Sequence, residues 1–301
     1  MNNPRKKTGQ AEPTERSNPS SRHIDSASAL RIAEIINRED QKIALAVRSK
    51  LGPIARAIEI AHEAFSRRGR LFYVGAGSSG RLGVLDAVEC PPTFGVSPGT
   101  VQGILAGGKN ALWRSAEAAE DDPLAGAEAI CRVGVGAKDV VCGISASGKT
   151  PFVRGALGEA QKKKARCILI SCHPSPAIAP LADVVINPVV GPEVISGSTR
   201  MKAGTATKMI LNMISTGAMI RLGKVYNNLM VDVRPSSAKL RGRAEGIIRS
   251  VLGCSRNRAK ELLRSSKDRV KVAIVMGARN CGTKEAERLL EERQGFLGEI
   301  L

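Results

Sequence analysis

The sequence of 301 residues predicts an α/β protein, a doubly wound parallel sheet preceded by helices and followed by a small all-helical domain. Three observations support this fold class. Short apolar segments alternate with helical segments between residues 69 and 233, which is typical of βαβ units with helices on both faces of the sheet. Two of these apolar segments run into loops of glycine and serine. After residue 234, apolar residues recur only at helical spacing.

The N-terminal part divides into a tail and a helical region. Residues 1–22 are rich in Pro, Ser, Asn and charge and predict a disordered basic tail, so we expect removal of residues 1–20 to leave activity intact. Residues 23–68 carry apolar side chains at helical spacing, with a break at Gly52-Pro53, and predict two or three helices.

The α/β domain is expected at residues 69–233. Its predicted strands lie at about 71–74, 139–144, 167–170 and 184–186, where apolar runs indicate strands buried on both faces. The segment from Thr199 to Gly223 predicts one buried helix whose methionines pack in the core. Residues 234–301 predict the C-terminal helical domain.

The net charge of +18 is the most unusual feature of the composition. It favours an anionic ligand, but the positive residues are dispersed and no RNA-binding aromatic pattern accompanies them, so a nucleic-acid partner is not expected. No apolar run of about 18 residues and no secretory signal is present, so we expect no membrane contact. Seven scattered cysteines fit free thiols in a reducing cytoplasm. Three dispersed histidines do not suggest a metal site.

Two loops at strand ends carry the donors for an anionic ligand. They are Gly75–Gly80, GAGSSG, and Ser145–Thr150, SASGKT, and each leads into a helix whose N-terminus adds positive potential. The first loop fits GxGxxG, but no acidic residue follows at the distance a nucleotide ribose requires. We therefore expect the phosphate of a small ligand, while two ordinary turns remain the alternative. The candidate phosphate donors are the hydroxyls of Ser78, Ser79, Ser145, Ser147 and Thr150.

Two carboxylates are candidates for proton transfer. Glu89 precedes Pro91-Pro92, which predicts a helix end directly after it. A carboxylate near a helix C-terminus gains nothing from the helix dipole, and such a setting suits a general acid. Glu120 lies in an acidic run, residues 120–122, that is ordinarily a solvated helix end. From spacing alone, both a functional and an ordinary role stay open for each residue.

Three long stretches resemble one known family. They are residues 75–95, 143–153 and 187–233, and together they are similar to the N-acetylmuramic acid 6-phosphate etherases, which are built on a sugar isomerase domain. The similarity runs from about Thr14 to the last residue. It implies a lyase that converts N-acetylmuramic acid 6-phosphate to N-acetylglucosamine 6-phosphate and D-lactate in cell-wall sugar recycling, by elimination and then addition of water. It implies no metal and no cofactor.

The resemblance also implies roles for individual residues. Glu89 matches the acid that protonates the departing lactyl oxygen, and Glu120 matches the second catalytic carboxylate, with Glu117 as the alternative one turn earlier. The five hydroxyls of the two loops take the phosphate. Weaker candidates for substrate contact are Arg81, Ser198, Thr199, Arg200 and Lys202. The family implies a homodimer, and the C-terminal segment resembles a ubiquitin-associated-like helical module.

A phosphosugar-binding regulatory protein without catalysis is the main alternative. Sugar isomerase domains also act as ligand switches, and the vertebrate glucokinase regulatory protein is a relative of the etherases. That protein has two such domains on a chain about twice as long, whereas this chain has one and keeps both carboxylates. An aldose–ketose isomerase is a third hypothesis, which lactate release would separate from the first.

Overall fold

A computed structural model describes residues 15–114 and 116–301. In these ranges the chain forms a five-stranded sheet flanked by helices, followed by a helical C-terminal region, which confirms the predicted fold class. The strands are β1 Leu71–Gly75, β2 Val101–Leu105, β3 Val140–Ile144, β4 Arg166–Ile170 and β5 Val184–Ile186. The helices are α1 Ala29–Arg48, α2 Leu51–Ser66, α3 Gly77–Phe94, α4 Pro123–Arg132, α5 Pro151–Lys162, α6 Lys202–Arg221, α7 Ala238–Leu252, α8 Arg256–Ser265, α9 Val270–Arg279 and α10 Thr283–Glu292.

All strands of the sheet are parallel, and their order is β2-β1-β3-β4-β5. The chain leaves β1 toward β2 on one side and then returns to β3 on the other side. The carboxyl ends of β1 and β3 are therefore neighbours, with Gly75 opposite Ile144. This reversal of strand order is where open α/β sheets form their ligand crevice. Both predicted Ser/Gly loops begin there.

The sheet is buried on both faces because its strands alternate between two cores. From β1, Leu71 and Tyr73 join the core beneath α1, α2, α3 and α6, while Phe72 and Val74 join the core beneath α4 and α5. The alternation follows from the two-residue period of a strand. It explains why the predicted strands read as continuous apolar runs rather than as alternating patterns.

One strand, β2, was not among those predicted. It lies at the edge of the sheet, and its central residues Gln102, Gly103 and Ile104 are only half-buried. A glycine and a polar residue within five positions weaken the β signal, and an edge strand needs less apolar surface than a central one. The sequence of β2, VQGIL, therefore resembles a loop more than a strand.

The helix α3 continues through Pro91 and Pro92 to Phe94, so the predicted end after Glu89 is wrong. The prolines remove two N–H donors from the last turn. Cys90 and Phe94 are buried in the core, however, and their packing holds that turn in place. Gly95 ends the helix with φ 67°, and its N–H donates to the Pro91 carbonyl at 2.9 Å.

The chain near its N-terminus packs onto the α/β body from residue 15 onward, whereas the first 14 residues of the predicted tail lie outside the described part. The Asn18 side-chain amide donates to Glu39 and to the Pro192 carbonyl, each at 3.1 Å. The Ser21 hydroxyl donates to the Val194 carbonyl at 2.7 Å. Because Asn18 and Ser21 are buried, a deletion of residues 1–20 removes contacts of the folded body.

The C-terminal region has a core of its own, formed by α7 to α10. It is joined to the α/β body through Lys271, whose ammonium donates to the Gly223 carbonyl at 2.9 Å and to Asp232 at 2.8 Å. Burial lowers the pKa of Lys271, and the adjacent Asp232 opposes that shift. Among the described helices, none combines the length and the apolar character that a membrane crossing requires.

Candidate active site

The second Ser/Gly loop, residues 145–150, is closed by its own hydroxyl groups. The Ser145 Oγ accepts the N–H of Gly148 at 3.0 Å and the N–H of Thr150 at 3.4 Å. It also lies 2.8 Å from the Thr150 Oγ1. The Ser147 Oγ accepts the N–H of Lys149 at 3.3 Å. The loop is thus a compact turn that ends where α5 begins.

Glu120 lies against this loop. Its carboxylate accepts a hydrogen bond of 2.9 Å from the Thr150 hydroxyl. Since the single Thr150 hydrogen is used there, the Ser145 hydroxyl donates to Thr150, and the bonds run in one direction from the backbone amides to the carboxylate. Such a chain of hydrogen bonds fixes the orientation of its last member. The structure therefore brings together three predicted site residues, Ser145, Thr150 and Glu120.

Residues 143–150, GISASGKT, match the GxxxxGK[ST] spacing of P-loops, so spacing alone does not exclude a nucleotide here. In a P-loop the backbone N–H groups of the loop point at the phosphates. Here the N–H groups of Gly148, Lys149 and Thr150 bond to hydroxyl oxygens within the loop. The geometry therefore favours a small phosphate ligand over a nucleoside triphosphate.

The first Ser/Gly loop is absorbed into α3, which begins at Gly77. Ser78 and Ser79 consequently lie in the first helical turn, where backbone N–H groups lack intrahelical partners. Both side chains are half-buried. Among the hydrogen bonds of the described residues, none engages either hydroxyl, so these two groups differ from the bonded hydroxyls of the second loop.

A pocket of about 430 Å³ opens beside Ser78, between α3 and α6. Three cationic side chains line it, Arg81 from α3, Arg200 from the loop before α6, and Lys208 from α6. The rest of its wall is apolar or small and consists of Leu82, Leu85, Gly204 and Thr205. The pocket therefore combines positive charge with a hydrophobic wall, a combination suited to a small organic anion.

Arg81 is anchored by backbone carbonyls. Its Nε donates to the Leu112 carbonyl at 3.2 Å, and its Nη2 donates to the Arg114 carbonyl at 3.3 Å. A guanidinium has five donor hydrogens, so these two bonds orient the group and leave others for a ligand. The same two bonds tie α3 to the segment that leads toward Glu120.

Glu89 lies on α3, one helical turn after the pocket residue Leu85, and is exposed. Residues four positions apart share a helix face, so Glu89 extends the face that lines the pocket. The alternative carboxylate, Glu117, lies in the 3-10 helix Glu117–Asp121, and its side chain is outside the described part.

The structure does not bring Lys202 to the pocket. Its side chain is 1% exposed, and its ammonium donates to Glu39 at 2.7 Å and to the Pro192 carbonyl at 3.0 Å. Burial raises the pKa of Glu39, but hydrogen bonds from Lys202, Lys42 and Asn18 outweigh burial and lower it to about 2. A buried charge with this pairing has a structural role, so the structure gives no support to the substrate contact that the family resemblance suggested for Lys202.

Glu193 holds the start of α6. Its carboxylate accepts the N–H groups of Lys202 at 2.8 Å and Ala203 at 2.9 Å, and the residue is fully buried. The Thr199 carbonyl accepts the N–H of Gly204 at 2.9 Å. Ser198 and Thr199 are half-buried within this loop, and the exposed Arg200 reaches the pocket.

Sequence reasoning missed Lys208 and Leu85 as lining residues. A signal was present, because Lys208 follows Gly204 by one helical turn and Leu85 follows Arg81 by one turn. Neither signal is usable until the two helices are known to face each other across a pocket.

A parallel α/β sheet with polar loops at its strand reversal is typical of doubly wound ligand-binding domains, the class to which sugar isomerase (SIS) domains belong. The family model of the glucokinase regulatory protein N-terminal SIS domain matches residues 53–161. Among solved structures, phosphoheptose isomerase GmhA from Neisseria gonorrhoeae aligns with a TM-score of 0.48 at 17% identity, over 63% of this chain and 97% of that chain.

The sequence relatives are much more similar. The N-acetylmuramic acid 6-phosphate etherase of Edwardsiella ictaluri is 51% identical over 284 residues, which cover 94% of this chain and 95% of the relative. The etherase of Salinibacter ruber is 52% identical over 285 residues, covering 94% and 92%. The chain belongs to the N-acetylmuramic acid 6-phosphate etherase family.

Proposed function

We propose that this protein is a lyase that cleaves the lactyl ether of N-acetylmuramic acid 6-phosphate, giving N-acetylglucosamine 6-phosphate and D-lactate, in the recycling of cell-wall sugars. The observation that carries the proposal is the hydrogen bond between Thr150 and Glu120, which holds a carboxylate against a loop suited to phosphate. The two relatives that match 94% of this chain are both named N-acetylmuramic acid 6-phosphate etherase, which supports the choice of substrate.

The proposed reaction needs two proton transfers and a water molecule. In the open-chain sugar the C1 aldehyde acidifies the C2 proton, a base removes it, and the C3–O bond breaks as an acid protonates the lactyl oxygen. Water then adds at C3 and a proton returns to C2, so the products together equal substrate plus water. Glu89 acts as the acid and Glu120 as the base, in accordance with the positions that the family resemblance assigns.

Phosphate binding is assigned to the strand reversal, where the two loops meet. The Ser147 oxygen accepts an amide hydrogen, which leaves its own hydrogen to donate to phosphate. Ser78 and Ser79 supply further donors at the N-terminus of α3. Ser145 and Thr150 support this loop from within, because the Ser145 hydroxyl bonds to Thr150 and the Thr150 hydroxyl donates to Glu120.

We infer in addition that the protein acts as a homodimer in the cytoplasm. A groove between α2 and α6 has a mainly apolar lining, with Lys208, Asn212 and Thr216 as polar members, and its Leu51 and Ile220 are about half exposed. Exposed apolar side chains in such a groove favour protein association. The seven cysteines are free thiols, as a reducing compartment would leave them. Light scattering of an Ile220→Glu variant, which should be monomeric, tests the assembly.

The function is tested by incubating the protein with N-acetylmuramic acid 6-phosphate in heavy-oxygen water. We expect D-lactate release and label on the C3 hydroxyl of the sugar product. Glu89→Gln and Glu120→Gln should each lower kcat by roughly 10²–10⁴-fold, the usual contribution of a proton-transfer group. Glu128→Gln, an exposed carboxylate on α4, is the matched control. Saturable binding of the sugar phosphate without lactate release would instead identify a phosphosugar-binding regulator.

A further inference from the structure

The pocket between α3 and α6 has more positive charge than phosphate binding at the two loops explains. Arg81, Arg200 and Lys208 all line it, and no acidic residue does. Asp86 of α3 is buried, accepts hydrogen bonds from Asn212 at 2.7 Å and Ser215 at 3.1 Å, and does not line the pocket. The opening of the pocket is therefore cationic.

The proposed substrate carries two anionic groups, the phosphate on C6 and the carboxylate of the lactyl group on C3. The two regions of the site differ in the same way. At the loop of residues 145–150 the Ser147 hydroxyl is a neutral donor, whereas the pocket offers three cations and an apolar wall beside Ser78. A lactyl group consists of a carboxylate and a methyl group on one carbon, so it matches cations and a leucine wall together.

The position of Glu89 links this pocket to the reaction. Leu85 lines the pocket, and Glu89 follows it by one turn on the same helix face. The lactyl carboxylate is separated from the ether oxygen by one carbon atom. A lactyl group held in the pocket therefore lies beside the helix face that carries the proposed acid.

We propose that the pocket is the subsite for the lactyl carboxylate, with Arg200 and Lys208 pairing the carboxylate and Leu82 and Leu85 contacting the methyl group. This assignment rests on the proposed lyase function and names the residues that select its substrate. Arg81 orients the edge of the pocket through its carbonyl bonds. Lys208 is thereby a specificity-determining residue: it distinguishes the lactyl sugar from the product sugar, which keeps the phosphate and lacks the carboxylate.

The test compares ligands with and without the carboxylate. In Lys208→Met and Arg200→Met, we expect kcat/KM for N-acetylmuramic acid 6-phosphate to fall roughly 10- to 100-fold, the size of a lost hydrogen bond to a charged group. The inhibition constant of N-acetylglucosamine 6-phosphate should stay within about twofold, since that ligand does not reach the subsite. Lys208→Arg should restore most of the loss. Arg221→Gln, an exposed cation at the end of the same helix, is the control.

An equal loss of affinity for both sugars in Lys208→Met would overturn the proposal, because the cations would then bind the phosphate or the ring. The substrate analogue with a carboxamide in place of the carboxylate gives a second readout. This analogue should bind the unaltered protein more weakly than the substrate does. The Lys208→Met change should not weaken its binding further.

Failure of the lyase proposal has a different signature. If the unaltered protein released no lactate, calorimetric titration with the two sugars would still decide the subsite. Tighter binding of the lactyl sugar, abolished by Lys208→Met, would support it, and equal binding of both sugars would reject it.

Discussion

The two Ser/Gly loops look alike in the sequence and differ in the folded chain. In the first loop the helix starts at Gly77, so Ser78 and Ser79 belong to a helical turn that faces the crevice. In the second loop the Ser145 hydroxyl bonds to Thr150 and to two amides of the loop, and the Thr150 hydroxyl donates to Glu120. Among the described hydrogen bonds, the hydroxyls of the first loop are not engaged, whereas those of Ser145 and Thr150 support the second loop from within. Hydroxyl groups that the fold does not engage are the better candidates for substrate contact.

The largest expected effect comes from breaking the turn of the second loop with Gly148→Ala. Gly148 has φ 70°, and an added Cβ would lie 2.3 Å from the Pro176 Cβ. Strain and overpacking together should lower the free energy of unfolding by about 3 kcal/mol and kcat/KM by more than about 100-fold. Thermal denaturation and lactate release measure the two effects. Wild-type values for both would show that the turn adapts and that the comparison of loops is wrong.

A smaller effect is expected when the hydroxyl chain of the second loop is interrupted. Thr150→Val removes the group between Ser145 and Glu120 at almost constant volume. The Glu120 carboxylate then loses the donor that orients it, so kcat should fall by roughly 10- to 100-fold, with KM changing less. Thr150→Ser keeps the hydroxyl and should retain most activity. A higher KM at unchanged kcat would assign Thr150 to phosphate binding instead of to support of Glu120.

The smallest effect is expected at the corresponding glycine of the first loop. Gly77 has φ 50°, but outside its chain neighbours and its own helix backbone nothing lies within 4 Å of the position that a Cβ would take. Gly77→Ala should therefore cost only about 1 kcal/mol of backbone strain and leave kcat within about threefold. Chemical denaturation and the lactate assay check this. A loss as large as that of Gly148→Ala would mean that the start of α3 is as tightly constrained as the second loop.

Much of the fold could be predicted from the sequence because its signals are local. Apolar runs of four residues followed by Gly/Ser loops mark β1 and β3, and helical spacing marks the helices. The wrong predictions, the end of α3 and the absence of β2, concern local signals that tertiary packing overrides. The core around Cys90 and Phe94 carries a helix through two prolines, and the edge position of β2 tolerates a glycine.

The site could be predicted less completely because its parts come from distant segments. The family resemblance placed Glu120, but the contact with Thr150 depends on how the segment before α4 folds back onto α5. Lys202 and Lys208 are both lysines of α6. Lys202 is buried in an ion pair with Glu39, whereas Lys208 lines the pocket. Only the packing of α6 separates the two.

Contacts between the N-terminal part of the chain and the region at the start of α6 have a consequence for the order of folding. Asn18 meets Pro192 across 174 positions, and Glu39 meets Lys202 across 163. Contacts of such long sequence separation carry the greatest loop-closure cost and form late. A chain growing on the ribosome contains both Ser/Gly loops well before residue 202 has been synthesised. Throughout that time Glu39 has no Lys202 with which to pair. The loop before α6, which brings Arg200 to the pocket, is therefore fixed only after both Ser/Gly loops have been synthesised.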